Sequence, residues 1–218
     1  MSETEQLTLS DVMDAGLDDW RLLALALHAR FRTGDFVTGL GFVTAVTELA
    51  EAANHHPDVT LTYPWVDLRL ISHDAGRLTR RDLDLARQVS ALAAERGIAA
   101  DPGVLAEVEI ALDTADLAAQ GPFWSALLTG SPDALDGDTV RDPTGRVPVL
   151  WFQDTDPHQA PRQRFHLDLW VPHDRADERI QAAVAAGGTV VDDSHAPSYT
   201  VLADPEGNRV CVCCCLDG

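Results

Sequence analysis

Titratable side chains cluster at the end of a helix-forming segment in the first third of the chain. The stretch Glu51–Asp58 reads EAANHHPD, with adjacent His55 and His56 directly before Pro57. Histidine titrates near neutral pH, so imidazoles held beside a carboxylate are suited to donating and accepting protons. Residues four apart share one face of a helix, which predicts that Glu51 lies beside His55.

Two further residues extend this cluster. His73 follows a predicted hairpin, which can return it to the end of the helix, and Asp82 stands three residues after Thr79 in a capping-box pattern. Three imidazoles and a carboxylate could therefore converge on one pocket. Residue types alone leave an acid/base site and an ordinary polar helix end equally open. A zinc site is the third choice, because adjacent histidines are badly placed for one ion and the usual paired spacings are absent.

Composition narrows the classes of partner. The net charge is −19, and all 16 basic residues are arginine, which excludes Schiff-base chemistry on a lysine. An acidic surface repels phosphate backbones and anionic lipids, so we expect neither nucleic acid nor membrane as a partner. The N-terminus lacks the basic start and apolar stretch of an export signal, which predicts a cytoplasmic protein. The four cysteines lie within Cys211–Cys215, too close on one strand to bridge, and are expected to be reduced.

The elements that must position the histidines follow from periodicity and capping signals. Residues 20–33 predict two short strands or a bent hairpin, and residues 59–70 predict a hairpin that turns at Pro64-Trp65. Asp35 caps a helix that ends near Asn54, and Thr79 begins another. The predicted apolar faces of the two helices are Phe36, Leu40, Val43, Val46 and Ala50, and then Leu83, Ala86, Val89 and Ala93.

The second half of the chain repeats one order of elements. The segment 96–104 has linker composition, and after it a strand, a helix and further strands occur twice, beginning at Glu107 and at Arg164. Asp204–Gly207 predicts a tight turn between the last two strands. This weak internal repeat indicates two copies of one supersecondary unit that share a core.

The spacing of the first cluster resembles the signature of the pterin-4a-carbinolamine dehydratases (4a-hydroxytetrahydrobiopterin dehydratases), from about Leu7 to about Ala94. The matching elements are Glu51, His55-His56-Pro57, Tyr63, His73 and Asp82. The resemblance implies a four-stranded antiparallel sheet with helices on one face, assembly into dimers or tetramers, and no cofactor. It implies catalytic roles for His55, His56 and His73, and supporting roles for Glu51, Pro57 and Asp82.

Residues from about Ala106 to Cys215 resemble the glyoxalase-like members of the vicinal oxygen chelate superfamily. The motifs that carry this resemblance are VEIALDTADLAAQGPFWSALL, RFHLDLWV and VLADPEGNRVCV. It implies paired βαβββ modules that form a cup-shaped sheet, with the metal-ligand positions of relatives falling on Glu109, His166 and Cys211. Cysteine is a soft ligand where a hard carboxylate is usual, so we expect no bound metal.

Together these patterns predict an α+β protein with a dehydratase-like domain at residues 1–97 and a glyoxalase-like domain at residues 104–218. The predicted function is dehydration of a 4a-hydroxytetrahydropterin to the quinonoid dihydropterin by histidine acid/base catalysis. The expected partners are a small pterin substrate and other copies of the chain. Two alternatives stay open: a glyoxalase-like lyase or dioxygenase-type enzyme in the second domain, or a non-enzymatic pterin-binding or dimerisation module.

Overall fold

The computed structural model describes residues 7–129, 131–145, 147–157, 165–185, 188–203 and 209–214. The chain divides into two compact units, one built mainly from the residues up to Ala106 and the other from Glu107–Trp170 and Ala176–Cys213. The turn predicted at Asp204–Gly207 lies outside the described residues. Each unit has its own sheet, and the two sheets differ in topology.

The first unit is an antiparallel sheet covered by helices. Its strands run in the order β1-β2-β4-β3, and β5 pairs with β2, which confirms the predicted antiparallel sheet and adds a short fifth strand to it. Its elements are α1 (Leu9–Asp14), β1 (Arg21–Leu23), β2 (Ala26–Arg32), α2 (Phe36–Ala53), β3 (Asp58–Thr62), β4 (Trp65–Leu70), α3 (Arg80–Glu95) and β5 (Ala99–Ala100).

Strand β5 lies within the segment whose composition is that of a linker. Its two residues pair with Phe31 and Arg32 at the end of β2. Strand β1 pairs only with the first part of β2, Ala26–His28, and leaves the backbone groups of the last part open on that edge. Because unpaired strand edges bind extended chain, the passing segment Ala99–Ala100 adds to the sheet there.

The two long helices begin where their capping residues predict. Asp35 accepts a hydrogen bond from the Thr38 amide at 2.7 Å at the start of α2, and Thr79 stands before α3. The predicted apolar face of α3 is confirmed, since all four of its residues are buried, namely Leu83, Ala86, Val89 and Ala93. These side chains pack with the sheet in one apolar core.

The predicted apolar face of α2 is wrong at its first two positions. Phe36 is 50% exposed and Leu40 is 54% exposed, whereas Gly39 and Phe42 are buried. Apolar residues occur on several sides of α2, and Val37 is itself 80% exposed, so periodicity alone could not select the buried side. By length and composition α2 could also span a membrane, but core helices of soluble proteins share this length and composition. Its inner side packs in the core of the unit.

The second unit is an eight-stranded sheet of two similar halves. The strand order is β11-β12-β13-β10-β6-β9-β8-β7. The elements are β6 (Glu107–Thr114), α4 (Leu117–Thr129), β7 (Leu135–Asp136), β8 (Thr139–Val140), β9 (Leu150–Asp154), β10 (Phe165–Trp170), α5 (Ala176–Ala185), β11 (Thr189–Asp192), β12 (Tyr199–Ala203) and β13 (Arg209–Cys213).

The pairing of these strands confirms the predicted βαβββ modules. The first strand of each half runs parallel to the last strand of the same half, β6 with β9 and β10 with β13. The two first strands, β6 and β10, pair antiparallel and join the halves. Successive side chains of a strand point to opposite faces. Leu112, Leu150 and Phe152 thus form an apolar core on one face, and Asp113 and Asp168 lie on the other.

Candidate active site

Helix α2 ends in a turn that reverses the direction of the chain before His55. Asn54 adopts the left-handed conformation with φ 45° and ψ 42°. The amides of Asn54 and His55 then donate to the carbonyls of Glu51 and Ala50 at 3.2 Å and 3.0 Å. Asparagine tolerates this conformation better than most residues, and it commonly ends helices in this way. His55 therefore leaves the helical path and its side chain is buried.

The His55 imidazole binds a buried carboxylate. Its Nε2 lies 2.7 Å from Oδ1 of Asp82, and the exposed fractions of the two side chains are 6% and 0%. The other oxygen, Oδ2, accepts from the Ser72 hydroxyl at 2.7 Å and from the Thr79 amide at 2.7 Å. A carboxylate offers only acceptor atoms, so Nε2 of His55 is the donor in this pair. Asp82 thus caps α3 and also satisfies donors from two other segments.

These two segments carry the other histidines of the cluster. His56 follows His55 directly, and His73 follows Ser72 directly. Since His55 and Ser72 both bind Asp82, one buried carboxylate joins the segments on which the two exposed imidazoles stand. The exposed fractions of these side chains are 52% for His56 and 60% for His73.

Each exposed imidazole has a carboxylate beside it. Nε2 of His56 lies 3.0 Å from Oε1 of Glu51, within hydrogen-bond distance. Nε2 of His73 lies 3.8 Å from Oδ1 of Asp58, which is longer than a hydrogen bond. Asp58 is two residues after His56, so this approach brings His73 to the segment that follows α2.

The structure changes one expected pairing and adds two residues that sequence reasoning missed. Glu51 pairs with His56 and not with His55, because the spacing rule for helices stops applying at the left-handed Asn54. Ser72 and Asp58 were not predicted as part of the site. Both residues could have been found from their place in the sequence, because Ser72 directly precedes His73 and Asp58 directly follows Pro57.

A second polar cluster lies on one face of the sheet in the second unit. His166 and Asp168 are two residues apart on β10 and therefore share one face of the sheet, and Asp168 pairs in register with Cys211 of β13. One ligand atom from each of these three residues lies within 4.8 Å of the other two. The structure therefore brings together His166 and Cys211, as the sequence predicted, and places beside them the carboxylate of Asp168.

Glu109, the third expected ligand position, has a different partner. It pairs with Asp168 across β6 and β10, and its Oε2 accepts from the indole nitrogen of Trp170 at 2.9 Å. Trp151 donates in the same way to Oδ2 of Asp168 at 2.6 Å. Two indoles therefore hold two carboxylates on this face.

Burial raises the pKa values of three side chains on this face. It raises the pKa of Glu109 against the opposing effect of the Trp170 hydrogen bond. It also raises the pKa of Asp168, which the bond from Trp151 and the nearby His166 partly offset. Burial, with the negative charge of Asp168, raises the pKa of the Cys211 thiol to about 12. Without a bound cation, the thiol is therefore protonated at neutral pH.

Residues of both units match known protein families. Residues 2–92 match the family model described as Pterin 4 alpha carbinolamine dehydratase, and residues 109–213 match the one described as Glyoxalase-like domain. A relative from Acidobacterium capsulatum, named "Putative pterin-4-alpha-carbinolamine dehydratase", is 45% identical over 78 residues, which are 36% of this chain and 85% of the relative.

Two further proteins are similar to this chain. A protein of the same name from Cyanothece sp. is 41% identical over 76 residues, 35% of this chain and 78% of the relative. A crystal structure described as a transcriptional coactivator/pterin dehydratase from Brucella melitensis is 32% identical and covers 41% of this chain and 99% of its own, with a TM-score of 0.39.

Proposed function

Because the chain belongs to the pterin-4a-carbinolamine dehydratase family through its first unit, we propose that this unit removes water from a 4a-hydroxytetrahydropterin. The observation that carries the proposal is the junction at Asp82, which binds both His55 and Ser72 and so joins the segments that bear His56 and His73. Two exposed imidazoles on joined segments supply a proton donor and a proton acceptor on one surface.

The reaction needs two proton transfers and no change in oxidation state. A proton reaches the hydroxyl on C4a, the C4a–O bond breaks, and water leaves. The proton on N5 is then lost, and the electron pair of the N–H bond forms the C4a–N5 double bond of the quinonoid dihydropterin. Imidazoles near neutral pH carry out both transfers, each worth roughly 10²-fold to 10⁴-fold in rate. No cofactor takes part in this scheme.

His56 and His73 are the groups that exchange protons with the substrate in this proposal, because their side chains are open to solvent. One acts as the imidazolium that protonates the leaving hydroxyl, and the other as the neutral base at N5. Glu51 orients His56 through its 3.0 Å contact. Oδ1 of Asp58 stands 3.8 Å from Nε2 of His73.

His55 and Asp82 hold this arrangement in place. Nε2 of His55 is committed to Asp82, and the side chain is 6% exposed. We therefore assign His55 to the site as the residue that fixes the start of the His56-Pro57 segment. Pro57 restricts the same segment because its ring fixes one backbone angle. This division of roles distinguishes the three histidines by burial and by partner.

We further propose that the chain works in the cytoplasm on a small pterin and associates into dimers or tetramers, as the dehydratase resemblance implies. The test of the proposed reaction uses prepared 4a-hydroxytetrahydropterin and the intact chain. Absorbance follows formation of the quinonoid dihydropterin against the same buffer without protein. We expect a first-order rate above that of buffer and proportional to protein concentration. A rate equal to that of buffer would favour the non-enzymatic binding module.

A further inference from the structure

The polar cluster of the second unit has the atoms and the geometry of a metal site. An imidazole nitrogen of His166, a carboxylate oxygen of Asp168 and the sulfur of Cys211 lie within 4.8 Å of one another. His166 and Asp168 stand two residues apart on β10, and Cys211 pairs with Asp168 from the neighbouring strand. Because side chains of a strand alternate in direction, all three point to the same face of the sheet.

The contacts around two of these residues direct one atom of each toward the cluster. Nδ1 of His166 lies 3.7 Å from Oδ1 of Asp113, whereas Nε2 of the same ring lies 3.5 Å from Oδ1 of Asp168. Oδ2 of Asp168 is occupied by the Trp151 indole at 2.6 Å, which leaves Oδ1 on the side of the imidazole. A donor behind a carboxylate is one of the supports that orient ligands in known metal sites. The approach of Asp113 to Nδ1 is longer than a hydrogen bond and places a negative charge behind the ring.

We propose that the second unit binds a divalent cation of the zinc type through Nε2 of His166, Oδ1 of Asp168 and Sγ of Cys211. A mixed nitrogen, oxygen and sulfur set suits Zn²⁺ or Co²⁺ and disfavours Mg²⁺ and Ca²⁺, which take oxygen ligands. Three protein ligands leave a fourth tetrahedral position for water or for an oxygen of a small ligand, the arrangement of zinc sites that carry out reactions.

This ligand set differs from the one expected at Glu109, His166 and Cys211. The Glu109 carboxylate accepts from Trp170 at 2.9 Å and stands outside the group of converging atoms. Asp168, on the strand between Glu109 and Cys211, provides the carboxylate instead. Asp168 therefore supplies the carboxylate ligand that relatives carry at the position of Cys211.

The test is cobalt binding to the intact, tag-free chain after removal of metals with a chelator. Thiolate ligation of Co²⁺ gives a charge-transfer absorption in the near ultraviolet, and visible bands report a tetrahedral ion. We expect one Co²⁺ per chain with both features, and displacement of the cobalt by Zn²⁺. Absence of the charge-transfer band, or its persistence in Cys211→Ser, would overturn the proposal.

Two matched carboxamide variants separate the proposed ligand set from the expected one. Asp168→Asn should weaken Co²⁺ binding at least 10-fold, whereas Glu109→Gln should leave it within about 2-fold of the unmodified chain, since loss of a ligand costs at least as much as loss of its support. The reverse order would contradict the assignment of Asp168. Near-ultraviolet circular dichroism checks the fold of each variant. If Asp168→Asn does not fold, Glu109→Gln decides between the two ligand sets, because a loss of Co²⁺ binding of 10-fold or more in that variant would contradict the assignment of Asp168.

Discussion

The Nε2 atom of His55 lies 2.7 Å from Oδ1 of the buried Asp82, and this pair joins the end of α2 to the first turn of α3. The same carboxylate accepts from Ser72, which precedes His73. A single residue therefore fixes two segments that are distant in sequence and that each present an exposed imidazole. This relationship separates the residues that hold the site from those that meet the substrate.

The first prediction concerns the stability that Asp82 confers. Asp82→Asn keeps the size of the side chain but replaces Oδ2 or Oδ1 with a donor, which leaves the hydrogen of Ser72, Thr79 or His55 without an acceptor. An unsatisfied buried polar group costs about 1–3 kcal/mol. We expect the free energy of unfolding in urea to fall by this amount.

The matched control for this substitution is Asp84→Asn on the same helix. Asp84 is exposed and pairs with Arg87 three residues later, and such surface pairs contribute at most about 1 kcal/mol. A loss of stability in Asp84→Asn equal to that in Asp82→Asn would show that the buried junction has no special role.

The second prediction concerns the pH dependence of stability through His28. Burial lowers the pKa of this imidazole to about 4, and the nearby Arg69 acts in the same direction, against Asp58 and Asp67. The unfolded chain, in which the pKa is ordinary at 6.5, therefore binds a proton that the folded chain does not, between pH 6.5 and about 4. The stability that depends on neutral His28 is complete above pH 6.5 and is lost as the pH falls through this window.

The size of this effect follows from the same two values. The interval between 6.5 and about 4 corresponds to about 3 kcal/mol in the free energy of unfolding. Urea unfolding at several pH values, in the unmodified chain and in His28→Gln, measures it by difference. We expect a shallower loss between pH 6.5 and 4 in the variant, and parallel curves would disprove the assignment.

The third prediction compares two glycines of α2. Gly41 is exposed, and an added methyl group would meet only the Arg96 guanidinium at 4.0 Å. Gly41→Ala should therefore raise the free energy of unfolding by about 1 kcal/mol, the usual gain for alanine in a helix interior. At the buried Gly39 the same methyl group would lie 2.6 Å from Cδ1 of Leu61.

The clash at Gly39 makes that substitution the control. Leu61 must shift to admit the methyl group, and the cost of that shift opposes the gain in helix propensity. Thermal unfolding of both variants measures the difference. Equal stabilisation by Gly39→Ala and Gly41→Ala would mean that Gly39 does not lie against Leu61 of β3.

Local signals were sufficient to predict α2, α3, the second hairpin and the repeated modules of this chain, but not α1 or β5. Asp35 and Thr79 marked the helix starts, and the alternation in residues 59–70 marked the second hairpin, because caps and periodicity depend on neighbours in sequence. The buried side of α2 was not predictable in this way. Phe36 and Leu40 are as apolar as Phe42, and only the position of the sheet decides which of them is buried.

The residue types of the candidate site could be proposed from the sequence, but their pairings could not. The histidines and Asp82 could be recognised by spacing, whereas the bond between His55 and Asp82 joins residues 27 apart in sequence. Asp168 was not predicted as a ligand because its place beside Cys211 depends on the register between β10 and β13, which no local sequence pattern encodes. Contacts of this kind arise from tertiary packing and require the structure.

The most direct test of the proposed reaction compares single alanine variants of three histidines in the dehydration assay. We expect His56→Ala and His73→Ala each to lower kcat about 10²-fold or more, since each removes one proton-transfer group. Both side chains are exposed, so the free energy of unfolding should change by less than about 1 kcal/mol. His195→Ala, an exposed histidine of the second unit, serves as the control and should keep the unmodified rate. Unchanged kcat in both His56→Ala and His73→Ala would contradict the assignment of these imidazoles to acid/base catalysis.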